Sequence, residues 1–258
     1  MPLLQREGRA IQNVYDRKTA LDALNSAAYD VIFAGQSQNG FDGLTFLPQL
    51  RTLQPKARVI VTGDPEPARV IRALRARAYS YFHTPLPPGP ITDMVQQALE
   101  SNSWQDDLRV LSAAPNWITV DIRGKLEAAD RTVQFFREVL AALPNQTRED
   151  IAASFRELIL NAVEHGTHGD PGKRVRVTMQ RTPRLVIGQI ADPGKGFSLD
   201  AVPHAAISNP ADSPIQHIEL REETGQRPGG FGILMTRNMV DGLVYNERGN
   251  AVLFVKNL

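Results

Sequence analysis

The segment FRELILNAVEHG at positions 155–166 has the period of an amphipathic helix. At 100° per residue, one apolar stripe forms from Ile151, Phe155, Leu158, Ile159 and Ala162. Glu157, Asn161 and Glu164 fall on the opposite side, and His165 lies at the boundary. Asparagine is a mediocre helix former, so its presence there indicates a role beyond helix formation. We predict a helix from Arg148 to Glu164.

Glu157 and Asn161 are four residues apart, so they point in the same direction from this helix. An amide oxygen is a hard, neutral ligand for Mg²⁺, which keeps its waters and the phosphates as its other ligands. A carboxylate can accept a proton from an attacking hydroxyl group or water. The pair therefore suits a Mg²⁺-nucleotide, and an exposed helix face without a role is the alternative.

A second polar segment, DPGKGF at 192–197, follows an apolar strand directly. Pro193 and Gly194 fit the central positions of a type II turn, and glycines let a backbone approach a ligand closely. The Asp192 carboxylate at the strand end could accept a hydrogen bond from an exocyclic amine such as N6 of adenine. A plain hairpin turn is the alternative.

A glycine-rich segment, GGFG at 229–232, precedes the helical stretch ILMTRNMVD. A loop of this kind that opens a helix presents N–H groups and the positive end of the helix dipole to phosphate. A flexible loop without a ligand is the alternative. The phosphate-binding pattern GxxxxGK[ST] is excluded, since Lys195 is followed by Gly196 and no glycine stands at the required upstream spacing.

In this order and spacing, the three segments resemble the GHKL ATPase superfamily of gyrase, Hsp90, histidine kinases and MutL. The resemblance covers residues 117–258 and implies a Bergerat α/β-sandwich, an α+β fold that binds ATP and Mg²⁺. It implies that Asn161 coordinates Mg²⁺ and that Glu157 is the catalytic base or orients a water. It also implies an adenine contact at Asp192, a pocket shaped by Gly194 and Gly196, and a phosphate loop with Gly230 and Gly232 under a lid from 202 to 228.

Within that superfamily, the ending GGFGILMTRNMVDGLVYNERGNAVLFVKNL and the opening FREL…NAVEHG resemble the anti-sigma regulatory factor group of serine/threonine kinases. Histidine kinases carry an acceptor histidine on a dimerising helix. Here His83, followed by Pro85, is the single histidine before the helix that carries Asn161. The resemblance implies an antagonist (anti-anti-sigma-type) protein as substrate, a sigma factor as sequestered partner, and a homodimer. A nucleotide-sensing module without phosphotransfer is the alternative, although the intact Glu157 favours turnover.

The first half alternates short β-rich runs with helical stretches, which predicts βα units around a parallel sheet. The predicted strands are Ala10–Val14, Asp30–Ala34, Arg58–Thr62 and Tyr79–Phe82, and the predicted helices are Thr19–Ala27, Gly43–Leu53, Ala68–Arg77 and Pro90–Glu100. We place this α/β domain at 1–100 and a polar linker at 101–116. After it we predict a strand at Trp117–Ile122, a helix at Lys125–Leu143, strands at Arg174–Arg181 and Arg184–Ala191, a helix at Ile233–Val240, and strands at Gly242–Asn246 and Ala251–Val255.

The first half resembles a flavodoxin-like response-regulator receiver domain with defects. Gly35 stands where the family has its phosphoacceptor aspartate, and Thr84 stands where it has a lysine; Thr62 matches the hydroxyl residue. The family holds Mg²⁺ with an acidic pair on its first strand, and we expect this sequence to begin after that strand. Phosphoryl transfer to a carboxylate needs the carboxylate, metal ligands and a neutralising cation. We therefore predict a pseudo-receiver used for docking or dimerisation.

Composition restricts the remaining classes. Net charge is +1 and cysteine is absent, so neither a whole-chain attraction to nucleic acid nor a disulfide framework or thiolate site is predicted. No apolar run approaches the roughly 20 residues that cross a bilayer, and the N-terminus lacks a signal-peptide pattern. We expect a cytoplasmic protein without direct nucleic-acid or membrane binding.

The missing strand leads to a stability prediction. The first strand is central in a receiver fold, and its absence would expose the edges of both neighbours. Truncation of the chain, a partner or a local rearrangement would account for the gap. We expect a weakly stable N-terminal domain, measured by a thermal melt of residues 1–105. One cooperative transition at high temperature would contradict this expectation.

Overall fold

The computed structural model describes residues 10–36, 41–101, 103–196 and 232–258. The chain divides into two compact units. The first comprises Met1–Gln105 with Glu138–Ala142, and the second comprises Asp106–Arg137 with Leu143–Leu258. Over the described ranges, none of the helices combines the length and the apolar character that crossing a membrane requires.

A three-stranded parallel sheet with the order β1-β2-β3 forms the first unit. Its strands are β1 Val31–Ala34, β2 Arg58–Gly63 and β3 Ser80–His83, and its helices are α1 Arg17–Ser26, α2 Gly43–Leu53, α3 Pro67–Arg75 and α4 Pro88–Glu100. The central strand β2 is a nearly continuous buried apolar run, as expected for a parallel strand covered on both faces. The flavodoxin-like prediction is confirmed for this unit.

The prediction of a strand at Ala10–Val14 is wrong. These residues have no strand structure, and the side chains of Ile11 and Val14 are each 40% exposed. Within the described residues, no strand pairs with the outer edge of β1. Residues 10–14 do not pair with that edge, so their β-rich pattern alone does not produce a strand.

A bidentate ion pair holds α2 and α3 together in the first unit. Arg69 on α3 is 5% exposed, and its Nη2 and Nη1 lie 2.5 and 3.0 Å from Oδ1 and Oδ2 of Asp42. Asp42 also caps α2, because its Oδ1 accepts a hydrogen bond of 3.0 Å from the amide of Leu44. The hydrogen bonds from Arg69 hold the pKa of the Asp42 carboxyl below its usual range.

The pair predicts a pH-dependent effect of Asp42→Asn. This change leaves a buried guanidinium without its counter-charge and should cost about 3 kcal/mol of unfolding free energy at pH 7. Since the folded pKa of Asp42 is depressed, its contribution is complete above the ordinary value of 3.8 and is lost as pH falls through the folded pKa. The difference in unfolding free energy between the variant and the wild type should therefore decrease at acidic pH.

The measurement is urea unfolding followed by the fluorescence of Trp104, which is 3% exposed, in a Trp117→Phe background that leaves it as the sole tryptophan of the chain. Asp93→Asn, which changes an exposed carboxyl on α4, is the control and should behave as the background does. An equal loss of unfolding free energy in both aspartate variants would mean that the ion pair makes no specific contribution to stability.

The second unit is a six-stranded antiparallel sheet with the order β4-β5-β6-β7-β9-β8. The strands are β4 Leu108–Ala114, β5 Trp117–Arg123, β6 Arg174–Arg181, β7 Leu185–Ala191, β8 Gly242–Tyr245 and β9 Ala251–Asn257. The helices are α5 Leu126–Val139, α6 Asn145–Asn161 and α7 Gly232–Met239, and a π-helical turn at Ala162–Thr167 continues α6. The predicted α+β layer is confirmed.

Aromatic packing fixes α6 on this sheet. The ring of Phe155 lies edge to face against Phe136 of α5 and Phe254 of β9, with centroids 4.8 Å apart in both pairs. Gly188 on β7 makes room for Phe254, since a methyl group on that glycine would lie 2.0 Å from Phe254 Cε1.

The predicted linker at 101–116 is wrong for Leu108–Ala114, which form strand β4. This edge strand pairs antiparallel with β5, and its register shifts between Val110 and Ser112. Four of its seven residues are polar or small, and the irregularity breaks the alternation of buried and exposed positions. For this reason the sequence shows no period of two.

Candidate functional site

Helix α6 buries its predicted apolar stripe. Ile151, Phe155, Leu158, Ile159 and Ala162 are each at most 5% exposed. Glu157 and Asn161 are half-buried instead. The helix therefore keeps a carboxylate and an amide outside the core, one turn apart, as the spacing predicts.

Glu157 lies against the first residue of α7. A methyl group on Gly232 would be 2.6 Å from Glu157 Oε2, so this glycine permits the close approach. Thr236, which is fully buried, donates a hydrogen bond of 2.8 Å from Oγ1 to the carbonyl of Gly232 within the same helical turn. The structure thus places the predicted catalytic carboxylate beside the N-terminal end of the helix that follows the predicted phosphate loop.

The helix carrying Asn161 is longer than predicted, because it continues as the π turn. The amide of Gly169 bonds the carbonyl of Val163 at 3.0 Å, and the amide of His168 bonds the same carbonyl. His168 has φ of 57°, which ends the turn in the left-handed region. Single π turns inside helices occur frequently at functional sites.

The end of β7 holds Asp192 by several backbone contacts. The amide of Gly194 donates to Asp192 Oδ1 at 2.8 Å, a side-chain-to-backbone turn. Asn250 Nδ2 donates to the Asp192 carbonyl at 3.0 Å, and the Asp192 amide donates to the Asn250 carbonyl at 3.0 Å. The type II turn predicted at Pro193 and Gly194 is wrong, because Gly194 lacks the positive φ that such a turn requires.

Two glycines lie against the Asp192 carboxyl. A methyl group on Gly166 would be 2.3 Å from its Cγ and Oδ1, and one on Gly194 would be 2.7 Å from Oδ1. The carboxyl therefore lies between the backbone of the π turn and that of its own loop. Sequence reasoning missed Gly166, although it is the last residue of the 155–166 segment, and it missed Asn250, for which the sequence carries no signal.

Gly196 makes a close backbone contact with a neighbouring turn, and its pocket-shaping role stays a prediction. Its φ is +78°, and a methyl group on it would lie 1.8 Å from the carbonyl oxygen of Arg248, in the turn between β8 and β9. Arg248 Nε in return donates to the Lys195 carbonyl at 3.3 Å. Gly196 thus fastens the loop after Asp192 to the neighbouring turn.

Burial raises the pKa of the Asp192 carboxyl, and the Gly194 amide, Arg248 and His168 act in the opposite direction. The missing side chains of Gly166 and Gly194 leave room for the Asp192 carboxyl itself. This half-buried carboxyl is an acceptor that fits an exocyclic amine. The amide of Asn161, one turn from Glu157, fits Mg²⁺ coordination shared with phosphates. The donor set therefore fits ATP and Mg²⁺.

Some predicted residues lie outside the described part of the chain. These are Gly230 of the phosphate loop and the lid at 202–228. Of that loop, Gly232 alone is described.

Comparison with known families agrees with this arrangement. Residues 122–256 match the family of the histidine kinase-like ATPase domain, which is just over half of the 258 residues. The chain belongs to this family. Residues 2–96 match the response regulator receiver domain. The protein is thus an ATP-binding regulatory protein with a receiver domain.

Two solved structures are similar to part of the chain. A response regulator protein from Burkholderia pseudomallei, with a phosphorylated aspartic acid, calcium ion and citrate, is 23% identical over 37% of this chain, with a TM-score of 0.32. The chain covers 54% of that protein. The receiver domain of NtrX from Brucella abortus is 25% identical, with 39% of this chain and 87% of that one covered and a TM-score of 0.36. No curated protein matches the chain.

The pKa of Asp192 predicts that Asp192→Asn stabilises the nucleotide-free protein at neutral pH. A carboxyl whose folded pKa is raised contributes stability below the ordinary value of 3.8 and loses it as pH rises through the folded pKa. At pH 7 the ionised, half-buried group is therefore a cost, and asparagine keeps the acceptor for Gly194. We expect a Tm higher by up to about 4 °C at pH 7 and no gain at pH 3.5, by differential scanning calorimetry. A Tm that falls equally at both pH values would contradict the prediction.

Proposed function

We propose that the protein is an ATP- and Mg²⁺-dependent serine/threonine kinase of the anti-sigma regulatory type, which phosphorylates an antagonist protein and sequesters a sigma factor. One observation carries the catalytic part: α6 and its π turn contact both ends of the candidate site. Glu157 lies beside Gly232, and Gly166 lies beside Asp192. Nine residues along a helix correspond to roughly 13 Å, a separation of the order of the distance between a nucleobase and its terminal phosphate.

The residues of this site would have distinct roles in phosphoryl transfer. Bound ATP supplies the phosphoryl group, and Mg²⁺ neutralises phosphate charge. Asn161 would hold the metal from α6. Glu157 would accept the hydroxyl proton of a serine or threonine as the oxygen of that side chain bonds to the γ-phosphorus. The bond from that phosphorus to the β-phosphate oxygen would break, and ADP would leave. Amide groups at the start of α7 would stabilise the negative charge of the phosphates.

The choice of subgroup rests on the resemblance of the two segments quoted above and on the histidine content. His83 is the last residue of strand β3 and does not lie on a helix, unlike the acceptor histidine of a histidine kinase. The short succession of α7, β8 and β9 supports the likeness to the compact ending of the anti-sigma regulatory kinases. Homodimerisation and a cytoplasmic location belong to the same proposal.

The receiver-like unit would serve as a docking or dimerisation element without phosphorylation. Gly35 follows β1 directly, and a methyl group on it would be 3.0 Å from the Thr62 hydroxyl oxygen. The position of the phosphoacceptor thus lies beside the matching hydroxyl residue but carries no carboxylate. Thr84 supplies no cation there.

Isothermal calorimetry with ATP, with and without Mg²⁺, tests binding, and transfer of the γ-phosphoryl group from ATP to serine or threonine residues of added protein tests the kinase reaction. Asn161→Ala should weaken Mg²⁺-dependent ATP binding by at least about tenfold. Glu157→Gln should bind ATP with a Kd close to wild type but lose roughly 100-fold in turnover. Glu247→Gln, an exposed carboxylate in the turn between β8 and β9, is the matched control and should change neither quantity.

Each outcome separates the two candidate functions. Binding without turnover in the wild type would leave the nucleotide-sensing module in place of the kinase. A folded wild type that does not bind ATP would overturn both.

A further inference from the structure

We propose that Gly166 is a positioning residue for recognition of the nucleobase: its missing side chain sets where the Asp192 carboxyl stands. The inference rests on the proposed contact between Asp192 and the adenine amine. It concerns a residue of the π turn that has no side chain to offer a ligand.

The contact between the two residues is closer than any side chain would allow. A methyl group on Gly166 would lie 2.3 Å from Cγ and Oδ1 of Asp192 and 2.5 Å from its Cβ. Carbon atoms that touch without overlap are about 3.5–4.0 Å apart. Alanine at this position must therefore displace the carboxyl or the turn.

The turn is held on its other side and cannot retreat easily. Thr167 is fully buried, and its Oγ1 donates to the Val163 carbonyl at 2.6 Å. Gly124 faces that hydroxyl, since a methyl group on Gly124 would lie 2.4 Å from Thr167 Oγ1. The π turn is thus packed between Gly124 and Asp192.

The carboxyl is the group that must move, and its own loop restricts that movement. Gly194 holds Oδ1 by its amide at 2.8 Å, and the Gly194 backbone blocks movement on that side. A side chain at 166 therefore displaces the carboxyl from its half-buried position against the π turn. Loss of burial would return its raised pKa towards the ordinary value.

The experiment compares Gly166→Ala with Gly242→Ala. Gly242 lies on β8, and a methyl group there would be 3.8 Å from Val255 Cβ, which is ordinary contact. The first readout is the ¹³C NMR titration of the Asp192 carboxyl in nucleotide-free protein. The second is calorimetric binding of ATP and of purine riboside triphosphate, which lacks the 6-amino group.

We expect Gly166→Ala to lower the pKa of Asp192 and to weaken ATP binding by roughly tenfold, the order of one lost hydrogen bond to a charged group. Binding of purine riboside triphosphate should change little, and Asp192→Asn combined with Gly166→Ala should lose no more than Asp192→Asn alone. Gly242→Ala should match the wild type in both readouts.

An unchanged Asp192 titration in Gly166→Ala, or an equal loss for both nucleotides, would overturn the inference. A wild type without preference for ATP over purine riboside triphosphate would instead overturn the proposed adenine contact, on which the inference rests. If Gly166→Ala is too unstable to titrate, its loss of Tm should disappear in Gly166→Ala with Asp192→Gly, which removes every clashing side-chain atom. Persistence of that loss would also overturn the inference.

Discussion

Phe155 is buried between α5 and the sheet, and its edge-to-face contacts with Phe136 and Phe254 hold α6 in place. The polar side chains that α6 contributes to the candidate site take their position from this contact. Glu157 follows two residues later and Asn161 six residues later, so both are set by the rotation of the helix about a fixed aromatic side chain. A shift of α6 along the sheet would move both groups and the π turn together.

Asp42 and Asp192 lie in opposite electrostatic environments. In the first unit, Asp42 is paired with a buried guanidinium and its pKa is depressed. In the second, burial raises the pKa of Asp192, whose turn is held by a backbone amide. The ion pair of Asp42 orders two helices, and both of its carboxylate oxygens are already engaged by Arg69. A partly desolvated carboxylate such as that of Asp192 is what a site for a neutral, hydrogen-bonding base requires.

Much of the fold follows from period and order in the sequence. The stripe through Ile151 and Phe155 predicts the buried face of α6, and the buried run of β2 predicts a parallel strand. The strand at Ala10–Val14 was mispredicted because a strand depends on a neighbour that a local pattern does not report. The edge strand β4 was not predicted, because its polar residues and irregular register conceal the alternation of buried and exposed positions.

In the candidate site, too, the sequence predicts some residues and not those that depend on distant contacts. The chemistry of Glu157, Asn161 and Asp192 can be predicted from their residue types. Gly166 and Asn250 act through contacts between segments that are distant in sequence: the first lies 26 positions from Asp192 and the second 58. The π turn also depends on such a contact, since it packs against Gly124. No periodicity over a single helix contains that information.

The confinement of the Asp192 carboxyl has an entropic consequence. With Oδ1 held by the Gly194 amide and glycine backbones on two sides, the side chain occupies one rotamer before any ligand arrives. Ordering a flexible side chain at a binding site commonly costs about 0.5–1.5 kcal/mol. Folding has already ordered this side chain, so a ligand that binds Asp192 would meet a rigid acceptor, and its binding free energy would not be reduced by that ordering.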